Sequence, residues 1–119
     1  MIKAVTIILA LIVANSISEK PKNESNVQNG YEIEDGVIVL NDTNFDDAII
    51  KTKYLLVKFY APWCAHCKKM QPEFANAAES LSSQDPSVHL AKLDSTKNPQ
   101  KTKQYNVSAY PTLKLFVNG

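Results

Sequence analysis

Ala61-Pro62-Trp63-Cys64-Ala65-His66-Cys67-Lys68 contains both cysteines of the chain. Upstream lies the near-continuous apolar run Tyr54-Leu55-Leu56-Val57-Lys58-Phe59-Tyr60, the pattern of a strand buried on both faces. Downstream, Met70, Phe74, Ala77, Ala78 and Leu81 recur at helical spacing. The cysteine pair therefore falls where a strand gives way to a helix. At that junction a Cys-x-x-Cys spacing closes a small disulfide, and the orphan N–H groups of the helix start favour a thiolate. The chemistry this predicts is disulfide exchange, with Cys64 as nucleophile and Cys67, one turn in, as the shielded resolving thiol. His66 can add positive charge or a hydrogen bond to the Cys64 thiolate, which lowers the thiol pKa and makes the disulfide more oxidising. The competing reading is half of a zinc site. A closed tetrahedral site needs four ligands, and beyond the pair there are only His66 and His89, so no metal is expected.

Working outward, the helix is predicted from Cys64 to Ser82, with a kink at Pro72, whose ring cannot donate to the carbonyl of Lys68. Val37–Leu40, Val88–Asp94 and Thr112–Val117 read as further strands. Thr43 to Thr52 reads as a helix, Thr43 and Asp46 forming a start like a capping box. Asn98-Pro99 opens a short helix with Asn as cap. The order β-α-β-α-β-α-β predicts an α/β domain whose central strands are largely parallel.

The first residues read differently. Lys3, the apolar run Ala4 to Ala14 broken by Thr6, and the small residues Ser16 and Ser18 form the anatomy of a secretory signal peptide over 1–18. The run is short of the about 20 residues of a transmembrane helix, so no membrane anchor is expected. A secreted chain enters an oxidising compartment, where a cysteine pair can cycle. Residues 19–30 are polar and read as flexible, which leaves 31–119 as one domain. Net charge is +1, from 13 basic and 12 acidic residues without long single-sign runs, which argues against a nucleic-acid partner.

Four stretches in order carry a resemblance: Tyr60 to Lys68, Pro72-Glu73-Phe74, Leu90-Ala91-Lys92-Leu93-Asp94, and Tyr110-Pro111-Thr112 followed by Phe116-Val117-Asn118-Gly119. Together, between Gly36 and Gly119, they resemble the first redox-active domain of the protein disulfide isomerase family. The resemblance implies a thioredoxin-like fold, with helices packed on a mixed sheet. It implies an oxidoreductase and isomerase of secretory proteins in the endoplasmic reticulum lumen, without a dissociable cofactor. Its partners would be cysteine-containing polypeptides and redox partners such as glutathione or a thiol oxidase. Cys64 and Cys67 hold the catalytic positions, and Trp63, Tyr110 and a cis Pro111 would face substrate. Without the motif, Trp63 would read as a core residue.

Two departures stand out. The family places a buried carboxylate at position 58 to accept the resolving cysteine's proton, and a basic residue at position 92 beside it. Here both are lysines, so Lys58 either disturbs proton transfer or directs its ammonium to the surface. The family also continues past the Asn118-Gly119 position with another strand and a helix, and it usually ends in a retention tetrapeptide. Neither follows in this sequence, which implies a domain incomplete at its C-terminus. A redox-silent peptide-binding module and a non-functional fragment are the alternatives to an enzyme. Asn23, Asn41 and Asn106 each begin a glycosylation sequon, with Asn23 the favoured position and Asn106 the least favoured.

Overall fold

The computed structural model describes residues 26–119; the leader reading and Asn23 lie outside them. Three short strands come first: β1 (Asn26–Gln28), β2 (Tyr31–Glu34) and β3 (Val37–Leu40). They form an antiparallel meander. Both of its turns place two residues at positive φ, Asn29 (53°) with Gly30 (85°) and Asp35 (52°) with Gly36 (77°). Asn-Gly and Asp-Gly are the pairs that tolerate this best. This corrects the reading of 19–30 as flexible throughout, because residues 26–30 belong to a hairpin.

The chain continues through α1 (Phe45–Lys51), β4 (Tyr54–Tyr60), α2 (Ala65–Gln84), β5 (Val88–Asp94), α3 (Pro99–Gln104) and β6 (Thr112–Val117). The strands form one mixed sheet in the order β1-β2-β3-β5-β4-β6, with β3, β5 and β4 mutually parallel at its centre. β6 runs antiparallel to β4. This is the thioredoxin-like arrangement that the resemblance implied.

Strand alternation divides the core into two layers. Leu55, Val57 and Phe59 of β4 pack with Phe45, Ala48 and Ile49 of α1 and with Leu93 of β5. On the opposite face, Phe74 and Ala78 of α2 pack with Val37 and Leu90, and with Leu56 beside them. The apolar face predicted for α2 is the one it buries. Leu113, Leu115 and Val117 of β6 alternate with inward residues and are exposed.

The helix starts differ from the sequence reading. At α1 no Thr43–Asp46 box forms. Instead, the Asn41 side-chain oxygen accepts from the N–H groups of Thr43 and Asn44 and from the Thr43 hydroxyl. At α3 the Asn98 side chain caps nothing, and Asp42 accepts the Lys101 and Gln100 N–H groups at 3.0 and 3.3 Å. Asn98 instead accepts the Asp42 N–H at 2.9 Å. A carboxylate brought over from another loop thus does the capping, which local spacing could not reveal.

Candidate active site

β4 ends at Tyr60, and a tight turn follows in which the Cys64 N–H donates to the Ala61 carbonyl at 3.1 Å. Cys64 is the N-cap of α2, with an extended backbone (φ −77°, ψ 116°). Its Sγ accepts the Cys67 N–H at 3.2 Å, doing with sulfur what a capping oxygen does elsewhere. Both cysteines are free thiols, 7% and 4% exposed.

The two thiols are pushed apart. A hydrogen bond from the Cys67 thiol holds the Cys64 thiol below its ordinary value, with help from the backbone N–H groups of Cys67 and His66. Burial pushes Cys67 up, and its bond to Cys64 adds to the shift, while the charge of Lys58 opposes it. One thiol is therefore poised to ionise and the other to keep its proton. His66 is exposed, and among the described residues its imidazole makes no hydrogen bond to Cys64. Its backbone N–H favours the Cys64 thiolate.

Trp63 is 71% exposed, with its ring edge-to-face on Tyr110 at 5.9 Å. Tyr60 and Tyr110 pack against Ala61, Cys64 and Cys67, so the loop before β6 meets the loop before α2. The Tyr110–Pro111 bond is cis. Asn41 and Asn106 are both exposed, and His89 is half-buried in β5, far along the sheet from the pair.

Behind Cys67 lies a cleft of about 280 Å³, bounded by Lys58, Lys92, Glu34 and Lys68 among others. Lys58 and Lys92 are register partners on neighbouring parallel strands, and both are buried, at 3% and 8% exposure. The Lys92 Nζ donates to Glu34 Oε2 at 2.7 Å. The Lys58 Nζ lies 4.6 Å from the centre of the Phe74 ring and has no hydrogen-bond partner among the described residues. Lys58 is therefore largely buried, its stem running inward from β4 towards α2 and lining the cleft. Glu34 escaped the sequence reading. Its only local signal is its place before the Asp35-Gly36 turn, and its approach to Lys92 depends on β3 lying between β2 and β5.

The thioredoxin family pattern matches residues 36–119. The chain belongs to the thioredoxin family. The domain is 40% identical to the protein disulfide-isomerase of Gallus gallus over 118 residues, which is 99% of this chain and 21% of that protein. It is 41% identical to the protein disulfide-isomerase of Hordeum vulgare over 117 residues, 97% of this chain and 23% of that protein. The solved first thioredoxin domain of mouse protein disulfide-isomerase A4 superimposes with a TM-score of 0.69 at 38% identity, covering 87% of this chain and 71% of that one. The chain thus spans about a fifth of the length of these two relatives.

Proposed function

We propose that this thioredoxin domain catalyses dithiol–disulfide exchange, forming and rearranging disulfides in cysteine-containing polypeptides of the secretory pathway. The observation that carries the reading is the asymmetry of the pair: a capped Cys64 held towards the thiolate beside a Cys67 held towards the thiol. In the reductive direction, the Cys64 thiolate attacks one sulfur of a substrate disulfide. A Cys64–substrate bond forms, and the other substrate sulfur leaves as a thiolate. Cys67 then gives up its proton and attacks Cys64 Sγ, so that the domain becomes oxidised and the substrate reduced. Oxidation of a substrate dithiol is the reverse, and rearrangement follows when a substrate thiol resolves the intermediate instead.

The exposed Trp63 ring on Tyr110 and the adjoining Pro111 offer an apolar platform for an extended substrate segment beside the thiolate. The leader-like residues 1–18 and the resemblance to the isomerase family support the endoplasmic reticulum lumen as the site of action. Glutathione or a thiol oxidase would then restore the working redox state.

The test uses a fluorescent disulfide-linked peptide. Cys67→Ser should accumulate the mixed disulfide, and Cys64→Ser should abolish exchange. Undiminished exchange in Cys64→Ser overturns the reading. The exposed Trp63 ring on half-buried Tyr110 also suits a redox-silent peptide binder, which would bind the peptide equally well with both cysteines replaced and would exchange nothing.

A further inference from the structure

The cleft behind Cys67 carries an excess of positive charge. Lys58 of β4, Lys92 of β5 and Lys68 of α2 border it, against one carboxylate, that of Glu34 on β2. Glu34 bonds Lys92 at 2.7 Å, and about half of its side chain stays in water. Lys58 is the most buried of the three lysines, at 3% exposure, and among the described residues it has neither a hydrogen bond nor an ion pair. Its Nζ rests only against the rings of Phe74 and Tyr60, 4.6 and 5.8 Å from their centres. Those faces replace little of the water an ammonium loses on burial. The Lys92 Nζ lies 6.0 Å from the same Tyr60 ring, so two ammonium groups stand beside one ring and share a single carboxylate. A buried cation without a counter-ion is costly, and an anion that reached Lys58 would relieve that cost. The space for one exists: about 280 Å³, far above the ~10–15 Å³ that a single water needs.

We propose that this cleft binds a small oxyanion of the phosphate or sulfate kind, with Lys58 as its principal cation and Lys92 and Lys68 adding to the field. Lysine suits such a ligand as a compact point charge with three donors. Gln71 and Tyr60 add polar side chains to the lining. The Glu34 carboxylate borders the same cleft, and its repulsion keeps the affinity modest. Cys67 borders it too. The charge of Lys58 favours the ionised form of that thiol, against the burial that raises it. An anion paired with Lys58 offsets this charge, so occupancy makes Cys67 hold its proton more firmly. The bearing of the site on exchange rests on the reading above, whereas binding itself does not.

The experiment titrates inorganic phosphate into the ¹⁵N-labelled protein in a zwitterionic buffer of low ionic strength and follows the amide resonances. Saturable shifts should appear at Lys58, Lys92 and Cys67 at millimolar phosphate, and sulfate should compete for them. Lys58→Met should abolish them, and Glu34→Gln, which removes the opposing carboxylate, should tighten binding several-fold. Shifts that never saturate, or that spread over the exposed lysines, overturn the site from the wild-type protein alone. Saturation that survives in Lys58→Met, or binding no tighter in Glu34→Gln, overturns it as well. Cys64→Ser leaves Cys67 as the single thiol, and phosphate should slow its alkylation. Unchanged alkylation at saturating phosphate overturns the link to the thiol. Absence of exchange in the wild type sinks the oxidoreductase reading instead, and the titration still decides whether the cleft holds an anion.

Discussion

Glu34→Gln removes the carboxylate that Lys92 contacts while keeping the size of the side chain. At 2.7 Å the pair's attraction is about 6 kcal/mol at an effective dielectric of ~20, and about 1.5 kcal/mol in water. The Lys92 side chain is 10% exposed and the Glu34 side chain 53%, so one end has lost its water and the other has kept half of it. Breaking a fully buried pair at one end costs about 3–5 kcal/mol, and an exposed pair is worth about 0–1 kcal/mol. The mixed geometry sets the loss at about 1–3 kcal/mol, a sizeable part of the ~5–15 kcal/mol that holds a domain together. Urea unfolding at neutral pH, followed by far-UV circular dichroism, measures it directly as a lower midpoint at constant slope. Lys92→Met removes the buried ammonium and refills most of its volume, so the double variant should recover most of the loss. A loss below about 0.5 kcal/mol in Glu34→Gln, or no recovery in the double variant, refutes the view that an uncompensated Lys92 charge is what the carboxylate prevents.

Alkylation of the reduced protein across a pH series should modify Cys64 before Cys67, with an apparent pKa below the free-thiol value of about 8.5; faster reaction at Cys67 reverses the two roles. His66→Ala keeps the backbone N–H that favours the Cys64 thiolate, so exchange should persist; its loss in a folded variant contradicts that account. Burial, and the hydrogen bond to Asp47, raise the Tyr31 phenol from 10.0 to about 12. The folded protein therefore holds this proton longer than the unfolded chain, and its contribution to stability is full below pH 10 and falls as pH rises towards about 12. Tyr31→Phe should flatten that alkaline limb in urea melts, and an unaltered slope counts against the assignment. Phe45→Ala should cost about 3–5 kcal/mol, because the ring is fully buried against Phe59, Tyr105 and Phe116. A loss under about 2 kcal/mol in the same melt would mean that the cluster collapses onto the gap.

The strands with apolar runs were legible to the residue: β3, β4, β5 and β6 have the bounds those runs predict. The ends of α2 were not, since Cys64 is its N-cap and the helix runs on past Ser82 to Gln84. The β1–β2 hairpin was not legible, because a three-residue strand vanishes within a polar stretch whose one structural cue is Asn29-Gly30. Trp63 shows a different limit: as a residue type it favours the core, and only the surrounding motif pointed to an exposed ring. Lys58 shows a third. Its burial follows from the strand alternation, yet its electrostatic surroundings depend on Glu34, brought close through tertiary structure. Local pattern decides where a side chain points, and long-range topology decides which charges it meets there.

The position of β5 between β3 and β4 has a consequence for the chain as it is made. Neither β3 nor β4 pairs with the other, so both lack a partner along these edges until Val88–Asp94 has been synthesised. Cys64 and Cys67 leave the ribosome before that strand does. At about 5–20 residues per second, the interval between Cys67 and Asp94 is on the order of seconds. Through that interval the redox pair belongs to an open chain. Its thiols lack the sheet that buries Cys67 and makes the two differ. During its own synthesis the domain thus carries a pair of ordinary thiols, exposed to oxidation by whatever surrounds it. The two thiols come to differ only once the fifth strand has closed the centre of the sheet.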